Sequence, residues 1–524
     1  MNDLTRPNWS VKYATPAAAV WFVIALTVAR LVFLVFFSSY TLAEDEAHYW
    51  EWAKQPAWSY YSKGPGVAWV IAASTAVFGD VEWAVRLPAV LAGAIGSLAA
   101  AWCAGLVFAD RRAVFFGAVL FACVPPFQLT SLLMTIDGPY IACWMVACGC
   151  ALKARATGRG RWMVCLGLAL AVGFLFKYTI VLLAIGLVPG LMMGRSGKRI
   201  GVGAWIGFVG AFLLGLVPVT IWNLQHEWVT VRHLLGHLGV AGGDMPATQG
   251  VEGWRYSPLW TLEYLAMLLL IGPVGVMGTI GFVRFWKESE AVRLMAQASA
   301  PVLGFYLLVT LLAEAEGNWA LGGFAGFVVV ASGMVPIALD KRLRLVRTVW
   351  RLALIALVVS LVGFMNLSLL ARHPRFGEMV PVYRVSGMRE HAAAVERELR
   401  RLEAETGLEG FVICSHYGRA SQLAFYLSEE RKAEGANVFA SSSMFASGRK
   451  SQHDLWRDRD LRNDAVLERL RGRPAVLIGS EALYWRQGFE RVEELGYLAG
   501  EPKNRRLAFV GYGYRGLADL SGRK

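Results

Sequence analysis

Three carboxylates stand together in Ala43-Glu44-Asp45-Glu46-Ala47-His48-Tyr49-Trp50, directly after the first long apolar run of the chain. Acids at a bilayer surface carry a solvation cost if buried, so they are placed there for chemistry or to cap a helix. Asp45 and Glu46 suit both uses. Either can serve as an N-cap or first-turn acid for a helix starting near Ala47, and either can hold, or take a proton from, an incoming nucleophile. Asp137, in Met134-Thr-Ile-Asp-Gly-Pro-Tyr140, lies at the end of an otherwise apolar helix, where a carboxylate marks function by default and a cap next to Gly138-Pro139 is the plainer use.

Three cations complement these acids. Arg30 lies inside the first apolar run, too deep to snorkel, and calls for an acid or an anionic lipid group. Lys177, in Phe176-Lys-Tyr178, can snorkel or serve the site. Lys63, in Tyr61-Ser-Lys-Gly-Pro65, fits phosphate binding as a point charge. Among His226, His233 and His237 only the last two share a helical face, and no flanking Glu completes a zinc pattern. Six of the seven cysteines lie in apolar helices, where packing explains them; only Cys414 is in the polar tail. No residue is assigned to a metal, and a divalent cation is the one cofactor left open.

The elements that position these groups are mostly membrane-length. The 524 residues are 56% hydrophobic and 17% charged, with mean hydropathy +0.44. Apolar runs of roughly 20 residues predict about eleven transmembrane helices, near 17–40, 83–108, 113–130, 132–152, 162–176, 178–194, 200–222, 258–283, 297–314, 318–339 and 349–371. The first run lacks a small-residue cleavage site and reads as a retained helix. Lys and Arg gather in alternate loops, at Arg111-Arg112, Lys153–Arg161, Arg195–Arg199, Arg284–Arg293 and Lys341–Arg347. Those loops are expected in the cytoplasm, which places Asp45 and the tail after Arg372 outside. The net charge of +13 follows partly from this asymmetry and requires no nucleic-acid partner.

Residues 41–82 form a long outer loop rich in Trp and Tyr, expected to lie on the bilayer as short amphipathic helices. A second outer loop covers 223–257, and a short one surrounds Glu314–Asn318. From 372 to 524 charge rises and apolar runs shorten. Gly410–Cys414, Pro474–Gly479 and Arg506–Gly511 read as strands, and Met388–Thr406 and Gly418–Ser428 as helices, which suffices for one small α/β domain. There is no P-loop, no dinucleotide-type glycine turn and no Gly-x-Ser-x-Gly elbow.

Asp45-Glu46 after the first helix, the aromatic loop ending Tyr61-Ser-Lys-Gly-Pro65, and Val85-Arg-Leu-Pro88 resemble the polyprenyl-phosphate-sugar glycosyltransferases of the GT-C superfamily. The nearest in kind are the bacterial aminoarabinose-transferase and protein mannosyltransferase-like enzymes, of glycosyltransferase family 39/83 type. Asp137 in its context, Phe176-Lys-Tyr-Thr179, Trp222–Trp228, Gly317-Asn-Trp319, His416–Tyr426 and Ser451-Gln-His-Asp-Leu-Trp456 extend the resemblance over nearly the whole chain. It implies a polytopic α-helical membrane protein of GT-C type, with about 11–13 transmembrane helices, and a C-terminal soluble α/β domain. The division falls into 1–371, with outer loop 41–82, and 372–524.

The resemblance further implies an inverting transfer from a sugar on undecaprenyl phosphate to a glycolipid such as lipid A, another glycan or a protein, amid membrane lipids. Asp45 and Asp137 take the catalytic positions, Lys63, Arg30 and Lys177 the donor-phosphate positions, and Glu46 and Tyr61 supporting ones. The place is the bacterial inner membrane, multi-pass, with site and tail facing the periplasm. Ser62 stands where the aminoarabinose enzymes tend to have an acid, and Gly64-Pro65-Gly66 where relatives often have consecutive prolines. A transporter or flippase for a lipid-linked substrate, or an envelope-assembly protein, is the competing class. Transporters favour repeated halves and broken midplane helices, whereas here no halves repeat and the charges cluster outward.

Overall fold

The computed structural model describes residues 9–193, 198–238, 256–371, 380–433, 437–445, 450–500 and 505–521, with the single positions 240, 243, 244, 448 and 503. Arg195, Arg255 and Arg372, much of the 223–257 loop and the start of the tail at 372–379 lie outside the described residues. The chain builds a helical bundle from α1 (Pro16–Val32, continued by a π-helical turn Phe33–Phe37), α2 (Glu44–Lys54), α3 (Gly66–Phe78), α4 (Glu82–Val107), α5 (Arg112–Ala122), α6 (Asp137–Thr157), α7 (Gly160–Phe176), α8 (Val181–Met193) and α9 (Val202–Gln225). It continues through α10 (Val229–His237), α11 (Pro258–Leu268), α12 (Pro273–Phe285), α13 (Glu290–Val309), α14 (Phe324–Asp340) and α15 (Arg344–Met365). Among the described residues six helices are long and apolar enough to cross a membrane, and four shorter apolar helices accompany them.

Three expected spans differ in form. The run 113–130 is divided, because α5 stops at Ala122 before Pro125-Pro126, whose rings disfavour helix at the preceding residue. The run 132–152 becomes helical only at Asp137. The run 258–283 is no straight rod: it bends by 88° between Pro258–Ile271 and Pro273–Phe285. Gly272 supplies the turn at φ +63°, and Pro273 opens the next helix where its missing N–H costs nothing.

The segment 41–82 also departs from expectation. Instead of lying on a bilayer, α2 is buried from Glu46 to Ala53. It is sandwiched between the bundle and the C-terminal domain, with Trp50 edge-on to Phe425 at 4.9 Å and Trp52 stacked on Tyr60 at 4.4 Å. Its aromatic rings are an interdomain core, which a composition argument cannot tell from a membrane interface.

The C-terminal domain carries α16 (Met388–Thr406), α17 (Tyr417–Tyr426) and a five-stranded sheet ordered β2-β1-β3-β5-β4. The strands are β1 (Phe411–Cys414), β2 (Val438–Ala440), β3 (Ala475–Ile478), β4 (Phe489–Tyr497) and β5 (Leu507–Tyr514). β1 pairs parallel with β2 and β3, while β5 pairs antiparallel with β3 and β4. Alternation sorts the two faces. Val412, Cys414, Val476 and Ile478 join the cluster that continues through α17 into the bundle; Phe411, Ile413, Ala475 and Leu477 build a second core on the other face.

Candidate active site

Helix α2 starts at Glu44, so all three acids fall in its first turn, where the helix dipole favours anions. The Glu46 carboxylate turns back to accept from the Ala43 N–H at 3.0 Å and from the Met134 N–H at 2.8 Å. It also pairs with the buried Arg86 at 2.6 Å, whose guanidinium ties down the Tyr40 and Thr41 carbonyls. Glu46 is thereby a fastener of the α2 entry. Asp45 instead lines a cavity of about 440 Å³, together with His48 and Tyr49 from the same helical face.

The opposite wall is the Tyr60–Lys63 turn, closed by Tyr60 N–H donating to the Lys63 carbonyl at 3.0 Å. This turn lies hard against the end of α7: a Cβ at Gly64 would sit 2.3 Å from the Leu175 carbonyl oxygen. The Tyr61 hydroxyl donates to Asp244. Lys63 lines the cavity half-buried, and its Nζ makes no hydrogen bond or ion pair among the described residues. Burial and the charge of Lys177 hold its pKa below the usual lysine value, against the opposing pull of Asp45, Asp137 and Glu316.

Asp137 begins α6 and is buried at the cavity wall. Lys177, the C-cap of α7, donates to its Oδ1 at 2.7 Å, and Asn318 Nδ2 donates to its Oδ2 at 2.9 Å. Lys177 Nζ also reaches the Asn318 carbonyl at 3.2 Å. Asp45, Tyr61, Lys63, Asp137 and Lys177 therefore share one cavity, completed by Glu316, Asn318 and Trp319 and, from the C-terminal domain, Tyr417, Lys450 and Ser451.

Arg30 and Glu46 do not line it. Arg30 is buried between helices and donates to Gln128. Glu316 and Lys450 carried no expectation, since a single charge in a polar stretch is the commonest surface feature. Asn318 stood within a quoted motif without a role. His226 stacks on Trp222 at 3.9 Å, away from His233 and His237, whose Nε2 atoms are 3.1 Å apart.

His48, Glu51 and His453 offer ligand atoms within 4.8 Å of one another. Among the described residues Glu51 Oε1 and His453 Nδ1 are buried without a hydrogen-bond partner, while the other atoms of the cluster are engaged. Trp52 Nε1–H donates to His48 Nε2 at 3.1 Å, leaving Nδ1–H for Ser421 Oγ at 2.9 Å. Ser421 O–H in turn donates to Glu51 Oε2 at 2.7 Å.

A second, apolar groove of about 860 Å³ runs between α3, α4, α6 and α7, past Leu91, Ile95, Leu168 and Val172. Phe176 lines both spaces.

Residues 62–222 match the family described as dolichyl-phosphate-mannose-protein mannosyltransferase. The lipid A galacturonosyltransferase RgtD of Rhizobium johnstonii is 26% identical over 357 residues, 64% of this chain and 69% of that protein. An undecaprenyl phosphate-alpha-4-amino-4-deoxy-L-arabinose arabinosyl transferase of Edwardsiella ictaluri is 24% identical over 339 residues, 61% of this chain and 58% of its own length. The solved structure of ArnT from Cupriavidus metallidurans bound to undecaprenyl phosphate superposes with a TM-score of 0.63 at 14% identity, covering 96% of this chain and 99% of that one. Its apo form gives 0.59 at 16% identity, covering 97% and 100%. The fold is the GT-C fold, helical bundle and C-terminal sheet domain included.

Proposed function

We propose that this multi-pass membrane glycosyltransferase of the GT-C type moves a sugar from an undecaprenyl-phosphate donor to a lipid A-class glycolipid, at the periplasmic face of the bacterial inner membrane. One observation carries the reading: the cavity holding Asp45 and Lys63 and an apolar groove of about 860 Å³ share Phe176 in their walls. The names of the relatives supply the donor and acceptor classes.

The chemistry fits these groups. An acceptor hydroxyl attacks the anomeric carbon, the bond from that carbon to the phosphate oxygen breaks, and the hydroxyl proton passes to the Asp45 carboxylate. The leaving polyprenyl phosphate departs as an anion, which Lys63 stabilises in a partly dehydrated site. One displacement inverts the anomeric centre. Asp137, with both oxygens engaged, holds Lys177 in place beside the phosphate and takes no proton.

The test is mass spectrometry of envelope lipids from a strain lacking the gene, complemented with the wild type or with Asp45→Asn. A lipid A sugar that disappears and returns only with the wild type is expected. An unchanged glycan profile, with the protein present in the membrane, would overturn the reading in favour of transport or assembly.

A further inference from the structure

The C-terminal domain reaches both working walls of the cavity through two consecutive side chains. Gln452 and His453 open a 3-10 turn, Gln452–Leu455, and are 3% and 1% exposed. Gln452 Oε1 accepts the Tyr61 N–H at 2.7 Å, on the turn that presents Lys63. His453 Nε2 meets Glu51 Oε2 at 3.0 Å, on the helix that presents Asp45. The side chains point to different elements, and those elements carry the acid and the phosphate cation.

The turn itself is braced. Asp454 accepts from the Ser451 N–H at 2.7 Å and from Arg462 at 3.0 Å, and also receives the Ser443 hydroxyl. The contact with α2 is reinforced: His453 stacks parallel to His48 at 5.7 Å, and Ser421 bridges His48 to Glu51. Burial alone would raise the Glu51 carboxyl, but its pairing and hydrogen bond with His453, and then the charge of Arg459, bring it down to about 2.

We propose that Gln452 and His453 are positioning residues: as one rigid bracket they set the separation of Asp45 from Lys63, so the C-terminal domain gives the catalytic centre its register. The proposal rests on the roles assigned above to Asp45 and Lys63. Neither bracket residue meets the reacting atoms; both act through a backbone element. An error of about 1 Å in such a placement is worth on the order of a hundredfold in rate.

The experiment uses the full chain in detergent, with kcat and donor KM measured for Gln452→Ala, His453→Ala, and the conservative Gln452→Glu and His453→Gln. Rates are normalised to folded protein by gel filtration. His453→Ala should lower kcat about tenfold or more with donor KM near wild type, while Gln452→Ala should raise donor KM. The conservative variants, which keep the acceptor and the donor respectively, should recover most of each loss. Wild-type kcat and KM per folded molecule in both alanine variants would overturn the bracket, as would equal losses in the alanine and conservative variants. Asp45→Asn and Lys63→Met run in parallel: if these keep full activity, the underlying reading fails instead.

Discussion

Asp137 and Lys177 form a buried ion pair at 2.7 Å, the acid at the first residue of one helix and the cation at the C-cap of the next, with Asn318 closing the second carboxylate oxygen. The pair neutralises each member where an isolated charge would be costly. It also holds the start of α6 and the end of α7 together at the cavity wall.

Breaking that pair from one side leaves a buried charge. Asp137→Asn or Lys177→Met should each destabilise the protein by about 3–5 kcal/mol, whereas the double substitution should cost clearly less than their sum. Thermal unfolding of the four proteins in detergent gives the coupling; additive losses would show that the two side chains do not act together.

Asp45→Asn removes the carboxylate proposed as the base while keeping the size of the side chain. Turnover should fall by roughly 10²–10⁴-fold with donor affinity retained. Single-turnover kinetics with the lipid donor, alongside equilibrium donor binding, separates the two effects.

Glu46→Gln tests the neighbouring acid. It weakens the buried Arg86 pair at 2.6 Å, so the expected loss is stability of about 3–5 kcal/mol, with kcat per folded molecule near wild type. A kinetic defect in fully folded protein would place Glu46 in the chemistry.

Lys63 should govern an alkaline limb. Its pKa is held below the ordinary 10.5, so its positive charge is lost as pH rises through that lowered value, and donor binding weakens there. In Lys63→Arg, whose guanidinium stays charged, the limb should vanish even where the rate is lower throughout. The pH profile of kcat/KM for donor decides it.

His391 should make the C-terminal domain acid-sensitive. Burial, then the charge of Arg419, lowers its pKa from 6.5 to about 4, against a hydrogen bond to the Ala499 carbonyl. A lowered folded value means the neutral ring is the stable form. Its contribution of about 3 kcal/mol is present above pH 6.5 and is lost as pH falls to about 4. Unfolding from pH 7 to 4 should therefore be flatter in His391→Gln.

Charge in apolar sequence located Asp45, Asp137 and Lys177, because burial cost makes such residues conspicuous, and Lys63 stood out beside Gly and Pro. The same cue could not say what each charge meets. Arg30 meets Gln128, and Glu46 meets Arg86, 40 residues on, so neither reaches the cavity. The hydrogen bond of Gln452 to Tyr61 joins positions 391 residues apart, which no local pattern encodes. In the sheet, β1, β3 and β5 were legible as compact apolar runs. β2 is only three residues long, and β4, Phe-Glu-Arg-Val-Glu-Glu-Leu-Gly-Tyr, is an edge strand whose polar residues hide its period.

The close approach of Gly64 to the Leu175 carbonyl has a consequence for transplanting parts between transferases. The lysine turn is not a detachable module. A loop exchanged for one with a side chain at this position would collide with backbone that cannot rotate aside, and would tilt the end of α7 together with Lys177. A workable chimera must carry residues 60–66 and 175–177 across as a single graft.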